Sequence, residues 1–211
     1  LGANDFDIRA ILALTGDPAN MSDQPNSKGV FEANSLMLLK MIKSFNYGMD
    51  FAGRPFKIEP KQIFPFAVVN AYAKNFGSLE KKMHLKIQNG AVGVITQPVF
   101  HIENVKILLE NFENAKENVE GDTRKAQLIF GVFPITKLRT ALFLSAQVPG
   151  IHVPQFWIDE LEKAHNISEE EEYKVGMQLS KNLFDEINRI HPKIHLMTAN
   201  NKFEVASEIL A

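Results

Sequence analysis

Side chains that could do chemistry stand where short apolar runs stop. Asp17 follows Thr15-Gly16 directly after Ile11-Leu12-Ala13-Leu14, which would leave a carboxylate with little backbone cover. Gln97, between Thr96 and Pro98, puts a long amide at the end of Val92-Gly93-Val94-Ile95. Each has a plainer use as well: Asp17 suits a turn or a cap, and Gln97 could satisfy loop backbone. Tyr72 follows another run, Phe66-Ala67-Val68-Val69, and by itself reads as a packed ring with its hydroxyl satisfied. Lys86, inside a helical pattern, reads as a surface residue. The six histidines show no metal-ligand spacing on a helix, and Pro192 between His191 and His195 opposes an i,i+4 pair, so no metal site is expected.

The elements that must position these groups follow from the pattern. Five runs, over 10–14, 66–69, 92–96, 127–133 and 194–198, are short and continuous, as suits strands covered on both faces of a parallel sheet. Helical patterns follow each of them, near 31–46, 79–89, 102–117, 136–146 and 202–210, with two more over 155–164 and 169–190. Ser78 and Ser168 are placed to cap helices, and Gly90 to end one. The run Glu169 to Glu172 reads as a solvated first turn matched to the helix dipole. The apolar residues between Met49 and Ile58 could form a short hairpin. In a β/α barrel the polar strand ends share one rim, and ligands bind there. The expected fold is therefore α/β, a (β/α)8 TIM barrel with about five of its eight units in one domain over residues 1–211, an open five-stranded sheet being the alternative.

Composition narrows the function. The 211 residues carry a net charge of −2 and are 45% hydrophobic, enough for one sizeable core and no electrostatic invitation to nucleic acid or an anionic membrane. No apolar stretch approaches the roughly 20 residues of a membrane span. The absence of cysteine excludes a disulfide framework and fits a reducing, cytoplasmic setting. The first residue is Leu1, and the chain reads as beginning partway through a helix that leads into the first strand. Phosphate-loop, dinucleotide, nucleophile-elbow and zinc-helix motifs are all missing.

Five segments, in order, resemble one family. Ile11-Leu12-Ala13-Leu14-Thr15-Gly16-Asp17-Pro18 is similar to the "LALxGD" strand of the methylenetetrahydrofolate reductases. Lys86-Ile87 with Gly90-Ala91 and Ile95-Thr96-Gln97-Pro98 resembles their "K…AGA…ITQ" stretch. Gly131-Val132-Phe133-Pro134-Ile135 is similar to "PGILP", Ile151-His152-Val153-Pro154 to "V-x-I-P", and Thr198-Ala199-Asn200 to "TLN". Gly29-Val30-Phe31-Glu32 leans toward the module fused to a homocysteine methyltransferase in some members.

The resemblance implies FAD at the carboxyl rim of the barrel and NADH or NADPH as reductant. It also implies 5,10-methylenetetrahydrofolate as substrate, in one-carbon and methionine metabolism. Asp17 would be the catalytic residue, tuning the flavin and meeting the cationic folate. Thr15, Gly16 and Ala33 would contact the cofactor, Tyr72 would be a rim aromatic against it, and Lys86 would meet its phosphates. Gln97 would hydrogen-bond folate or nicotinamide in alternation. Thr140 occupies a further substrate-side position, usually Gln. A homo-oligomer is expected, with a fused or associated methyltransferase module as a partner. The family's general-acid glutamate and two more FAD contacts would fall upstream of Leu1. Without them the chain alone would be a non-catalytic flavin- or folate-binding fragment, which is the competing expectation.

Overall fold

The computed structural model describes residues 1–16, 33–73, 75–117, 119, 121, 125–199 and 202–211. Asp17 and Gly29-Val30-Phe31-Glu32 lie outside them. The described chain runs α1 (Gly2–Asp5), β1 (Ala10–Ala13), α2 (Ser35–Asn46), β2 (Phe64–Val69), α3 (Phe76–Gln88), β3 (Gly93–Pro98) and α4 (Ile102–Glu117). It continues through β4 (Gln127–Val132), α5 (Leu138–Gln147), α6 (Gln155–His165), α7 (Glu169–Ile190), β5 (Ile194–Leu196) and α8 (Phe203–Leu210). The strands form one parallel sheet in sequential order, β1-β2-β3-β4-β5. Register is fixed by pairs such as Leu12 with Phe66 and Gly131 with His195. The described residues thus form five consecutive parallel strands of an α/β fold, with β1 and β5 as edges, and no closure into a barrel among them.

Contacts group the chain into two compact units: residues 1–68, 81–94 and 115–127, and residues 69–80, 95–114 and 128–211. Strands β2, β3 and β4 each pass from the first into the second. In the first unit one face of α2 turns inward. Leu39 and Ile42 are buried, one cluster gathering Ala13, Leu39, Ala67 and Ala91, another Ile42, Phe45 and Ile63. Each large aliphatic or aromatic side chain so buried contributes about 1.5–3 kcal/mol. In the second unit Val105, Leu108 and Phe112 of α4 are buried, as are Phe100, Phe130, Ile135, Trp157 and Leu161.

Several boundaries shift for local reasons. Helix α3 begins at Phe76, because Asn75 Oδ1 accepts from Ser78 N–H at 3.0 Å; Asn75 is the cap, and Ser78 lies inside the helix. Helix α2 starts at Ser35 behind the cap Asn34, whose Oδ1 accepts from Met37 N–H at 3.0 Å, so Ala33 precedes the helix. Ser168 does cap α7, accepting from Glu171 N–H at 3.1 Å. The expected hairpin after α2 is one antiparallel bridge, Met49 with Pro55, closed by Asp50 bonding Ala52, Arg54 N–H and the Arg54 side chain. The acidic run at 169–172 is not all solvated: Glu172 is 3% exposed, and its Oε1 accepts from Leu138 N–H at 2.6 Å.

Candidate functional site

The second unit brings Tyr72, Gln97 and Gly150 to neighbouring positions. Val69 ends β2, and Asn70 then makes a tight turn in which its Oδ1 accepts from Tyr72 N–H at 2.7 Å. That turn aims the Tyr72 ring so that its hydroxyl accepts from Phe100 N–H at 2.7 Å and its edge meets His152, centroids 5.7 Å apart. Burial pushes the Tyr72 phenol up to about 12, the bond from Phe100 opposing this only in part. Phe100 is itself held from the other side, its carbonyl accepting from Trp157 Nε1 at 3.2 Å.

Gln97 is the penultimate residue of β3, and the strand end is built tightly around it. Thr96 Oγ1 accepts from Gly131 N–H at 2.9 Å, and Gly131 O accepts from Val99 N–H at 3.0 Å. A Cβ on Gly131 would lie 2.5 Å from Thr96 O and 2.9 Å from Met197 Cε, so the strands approach only because that residue is glycine. At Gly150, with φ of +79°, a Cβ would overlap Asn70 Nδ2 and lie 2.8 Å from Gln97 Oε1. Gln97 Oε1 is buried and has no hydrogen-bond partner.

Thr140 faces a different feature of the same unit. It lines a small cavity of ≈ 40 Å³ with Pro134, Thr136, Thr198, Ala199 and Lys202, at the carboxyl ends of β4 and β5. Hydroxyls and one ammonium make that cavity polar.

Thr15, Gly16, Ala33 and Lys86 belong to the first unit. Thr15 Oγ1 accepts from Ser35 N–H at 2.9 Å, so its side chain helps cap α2 and leaves its backbone and that of Gly16 exposed after β1. Lys86 sits in the last turn of α3, at the amino end of β3, where its carbonyl accepts from Ala91 N–H at 3.1 Å. It is half-buried, and desolvation, with Lys82 nearby, holds its ammonium below the usual lysine range. Its Nζ has no partner among the described residues, as suits a cation waiting for an anion. No group of three or more histidine and acidic side chains gathers among the described residues.

A model of the methylenetetrahydrofolate reductase family matches residues 2–211. The chain belongs to that family. Among solved structures it is similar to an uncharacterized protein from Clostridium thermocellum that binds two copies of 5-methyl-5,6,7,8-tetrahydrofolic acid, with a TM-score of 0.51 and 21% identity. The likeness covers 71% of this chain and 52% of that one, so this family member spans about half the length of the solved structure it matches. At that identity the likeness concerns the fold. No curated protein matches the chain. No helix among the described residues is long and apolar enough to cross a membrane.

Asn70, Gly150 and His152 escaped the sequence reading as site residues. Nothing local signals that the turns at Asn70 and Gly150, 80 residues apart, meet at Gln97.

Proposed function

We propose that this chain serves the FAD-dependent reduction of 5,10-methylenetetrahydrofolate to 5-methyltetrahydrofolate, with NADH or NADPH as reductant. The observation that carries the reading is the amide of Gln97. It stands at a strand end, in the family's glutamine position, with a buried oxygen that no residue satisfies. Such an atom costs about 1–3 kcal/mol when left alone, and a merely structural glutamine would have taken a backbone partner.

The residues fit the flavin and folate in chemical kind. Thr15 and Gly16 offer exposed backbone after β1, Ala33 is exposed just before α2, and Tyr72 offers an aromatic edge. Lys86 offers an ammonium of the kind phosphate oxygens need, but at the amino end of β3 rather than at the carboxyl rim, and Thr140 offers a polar wall for the folate side. Asp17 enters the reading through its sequence motif alone. Bound there, FAD would supply the chemistry of hydride transfer between a nicotinamide and the folate. The protein binds, orients and excludes water around that exchange, and Gln97 supplies one hydrogen bond to whichever partner is present.

The test is spectroscopic. The purified protein, supplied with FAD, should retain a flavin absorption band through gel filtration. NADH should bleach that band, and methylenetetrahydrofolate should restore it. Retention of FAD without either half-reaction would instead mark a non-catalytic flavin-binding member, and no retention at all would overturn the reading.

A further inference from the structure

We propose that the small cavity at the carboxyl ends of β4 and β5 is a phosphate subsite, taking one phosphoryl group on Thr136, Thr140, Thr198 and Lys202. The cavity measures ≈ 40 Å³, room for a single small group and none for a ring. Three hydroxyls can each turn a proton toward an oxyanion, and the Lys202 ammonium adds further donors and a positive charge. Among the described residues no carboxylate lines the cavity, so nothing there repels an anion or suits a cation.

Thr136 is the residue that points to an occupant. It is 7% exposed and lines the cavity, yet its hydroxyl meets no hydrogen-bond partner among the described residues. Buried hydroxyls are normally bonded, and one left alone costs stability. The wall that carries it is firmly held. Ile135 N–H donates to Ser180 Oγ at 3.0 Å, and a Cβ on Gly176 would lie 2.7 Å from Thr136 Cα. Another wall is the start of α8. That helix is fixed to α7 by the Tyr173 hydroxyl, which donates to Glu208 Oε1 at 2.9 Å, and by packing of Val205 and Ile209 with Met177. Lys202 is the N-cap of α8 and makes no side-chain cap bond, so among the described residues the first N–H groups of the helix remain open to an anion. Glu204, in the same turn, is exposed and does not line the cavity.

The pocket binds its anion whether or not the chain binds flavin, so the test needs no turnover. Inorganic phosphate should raise the unfolding temperature above that in sodium chloride of matched ionic strength, and titration calorimetry with phosphate gives the affinity. Lys202→Met drops the ammonium and keeps the stem, and Thr136→Val drops the hydroxyl and keeps the shape. Each should bind phosphate about tenfold more weakly, the worth of one charge-assisted bond. Without phosphate, Thr136→Val should be as stable as wild type or more so, because an unpaired hydroxyl has gone. Lys193→Met, exposed at the amino end of β5, should bind phosphate as wild type does. No phosphate effect in wild type would mean a cavity that holds water alone, and equal weakening by Lys193→Met and Lys202→Met would mean general charge screening. Either would overturn the proposal. So would a loss of stability in phosphate-free Thr136→Val, which would show that the hydroxyl already has a partner in the protein.

A second arm separates a free ion from a phosphoryl group carried on a larger ligand. NADPH and NADH differ by one such group. Tighter binding of NADPH by wild type, with the difference lost in Lys202→Met, would assign the subsite to a dinucleotide. Equal affinity for the two, or no binding of either, beside retained binding of inorganic phosphate would assign it to the free ion. A chain that binds phosphate here but retains no FAD would lose the reductase reading and keep the subsite. One that retains FAD but binds no phosphate would do the reverse.

Discussion

Glu172 and Leu138 are joined by one short bond: Glu172 Oε1 accepts the Leu138 backbone N–H at 2.6 Å. A carboxylate from the first turn of α7 thereby satisfies an orphan donor at the start of α5, where Lys137 makes no side-chain cap of its own. The negative charge also meets the positive end of the α5 dipole. His165 Nδ1 lies 3.3 Å from the same oxygen, so the buried carboxylate is engaged on two sides.

Removing that carboxylate should therefore cost more than removing a surface acid. Glu172→Ala should destabilise the protein by about 1–3 kcal/mol, the cost of leaving a partly buried donor unpaired. Glu172→Gln, which keeps the accepting oxygen, should lose less. Glu170→Ala, in the same run but exposed, should be near neutral. Urea unfolding midpoints of the three variants check the order, and equal losses would contradict it.

A second joint lies one turn further along α7. A Cβ on Gly176 would overlap Ile135 O and lie 2.7 Å from Thr136 Cα, so the helix touches the β4–α5 connection backbone to backbone. Ser180 Oγ accepts from Ile135 N–H at 3.0 Å and donates to Gly176 O at 2.7 Å. Gly176→Ala should destabilise by about 1–3 kcal/mol through overpacking, despite the better helix propensity of alanine. Ser180→Ala should cost a similar amount by stranding Ile135 N–H. Thermal denaturation of each variant is the measurement, and a gain in stability for Gly176→Ala would refute the contact.

These joints mark the line between what the chain discloses locally and what it does not. The alternation of short apolar runs with amphipathic stretches made all five strands legible, because a parallel sheet demands continuous apolarity and helical returns. Ser168 and Gly90 were legible because their partners lie within a turn. Glu172 was not: its partner is 34 residues away, and a run of four glutamates looks alike from within. Gln97 was legible as a residue type at a strand end. Its unpaired oxygen was not, since that depends on Asn70 and Gly150 arriving from two other loops.

Tyr72 gives a prediction in pH. Burial raises its phenol from the ordinary 10.0 to about 12. A folded value above the unfolded one means the neutral form is favoured by folding. That contribution is whole below pH 10 and is lost as pH climbs from there toward 12. Alkaline difference spectra of wild type against Tyr72→Phe should assign to Tyr72 a phenolate step near pH 12 in folded protein. Tyr72→Phe should also lose about 1 kcal/mol by freeing Phe100 N–H. A step near the ordinary tyrosine value would show the ring to be solvated.

Lys86 should show opposite effects with and without an anion. Its ammonium is held low by desolvation first and by Lys82 second, with no carboxylate to offset either. A depressed lysine value means the charge opposes folding below that value, and the penalty fades as pH rises past the unfolded 10.5. Lys86→Met, which keeps the apolar stem and drops the charge, should therefore leave the FAD-free protein as stable as wild type or more so at neutral pH. If Lys86 meets the FAD phosphates, the same variant should bind FAD about tenfold more weakly, the loss of one charge-assisted bond of ~1.5 kcal/mol. Riboflavin, which lacks the phosphates, should bind the two proteins alike. Differential scanning calorimetry without ligand and flavin fluorescence titration with FAD and riboflavin separate the cases. Equal FAD affinity in both proteins would remove Lys86 from the cofactor site, while destabilisation of the free variant would show that its ammonium has a partner it needs.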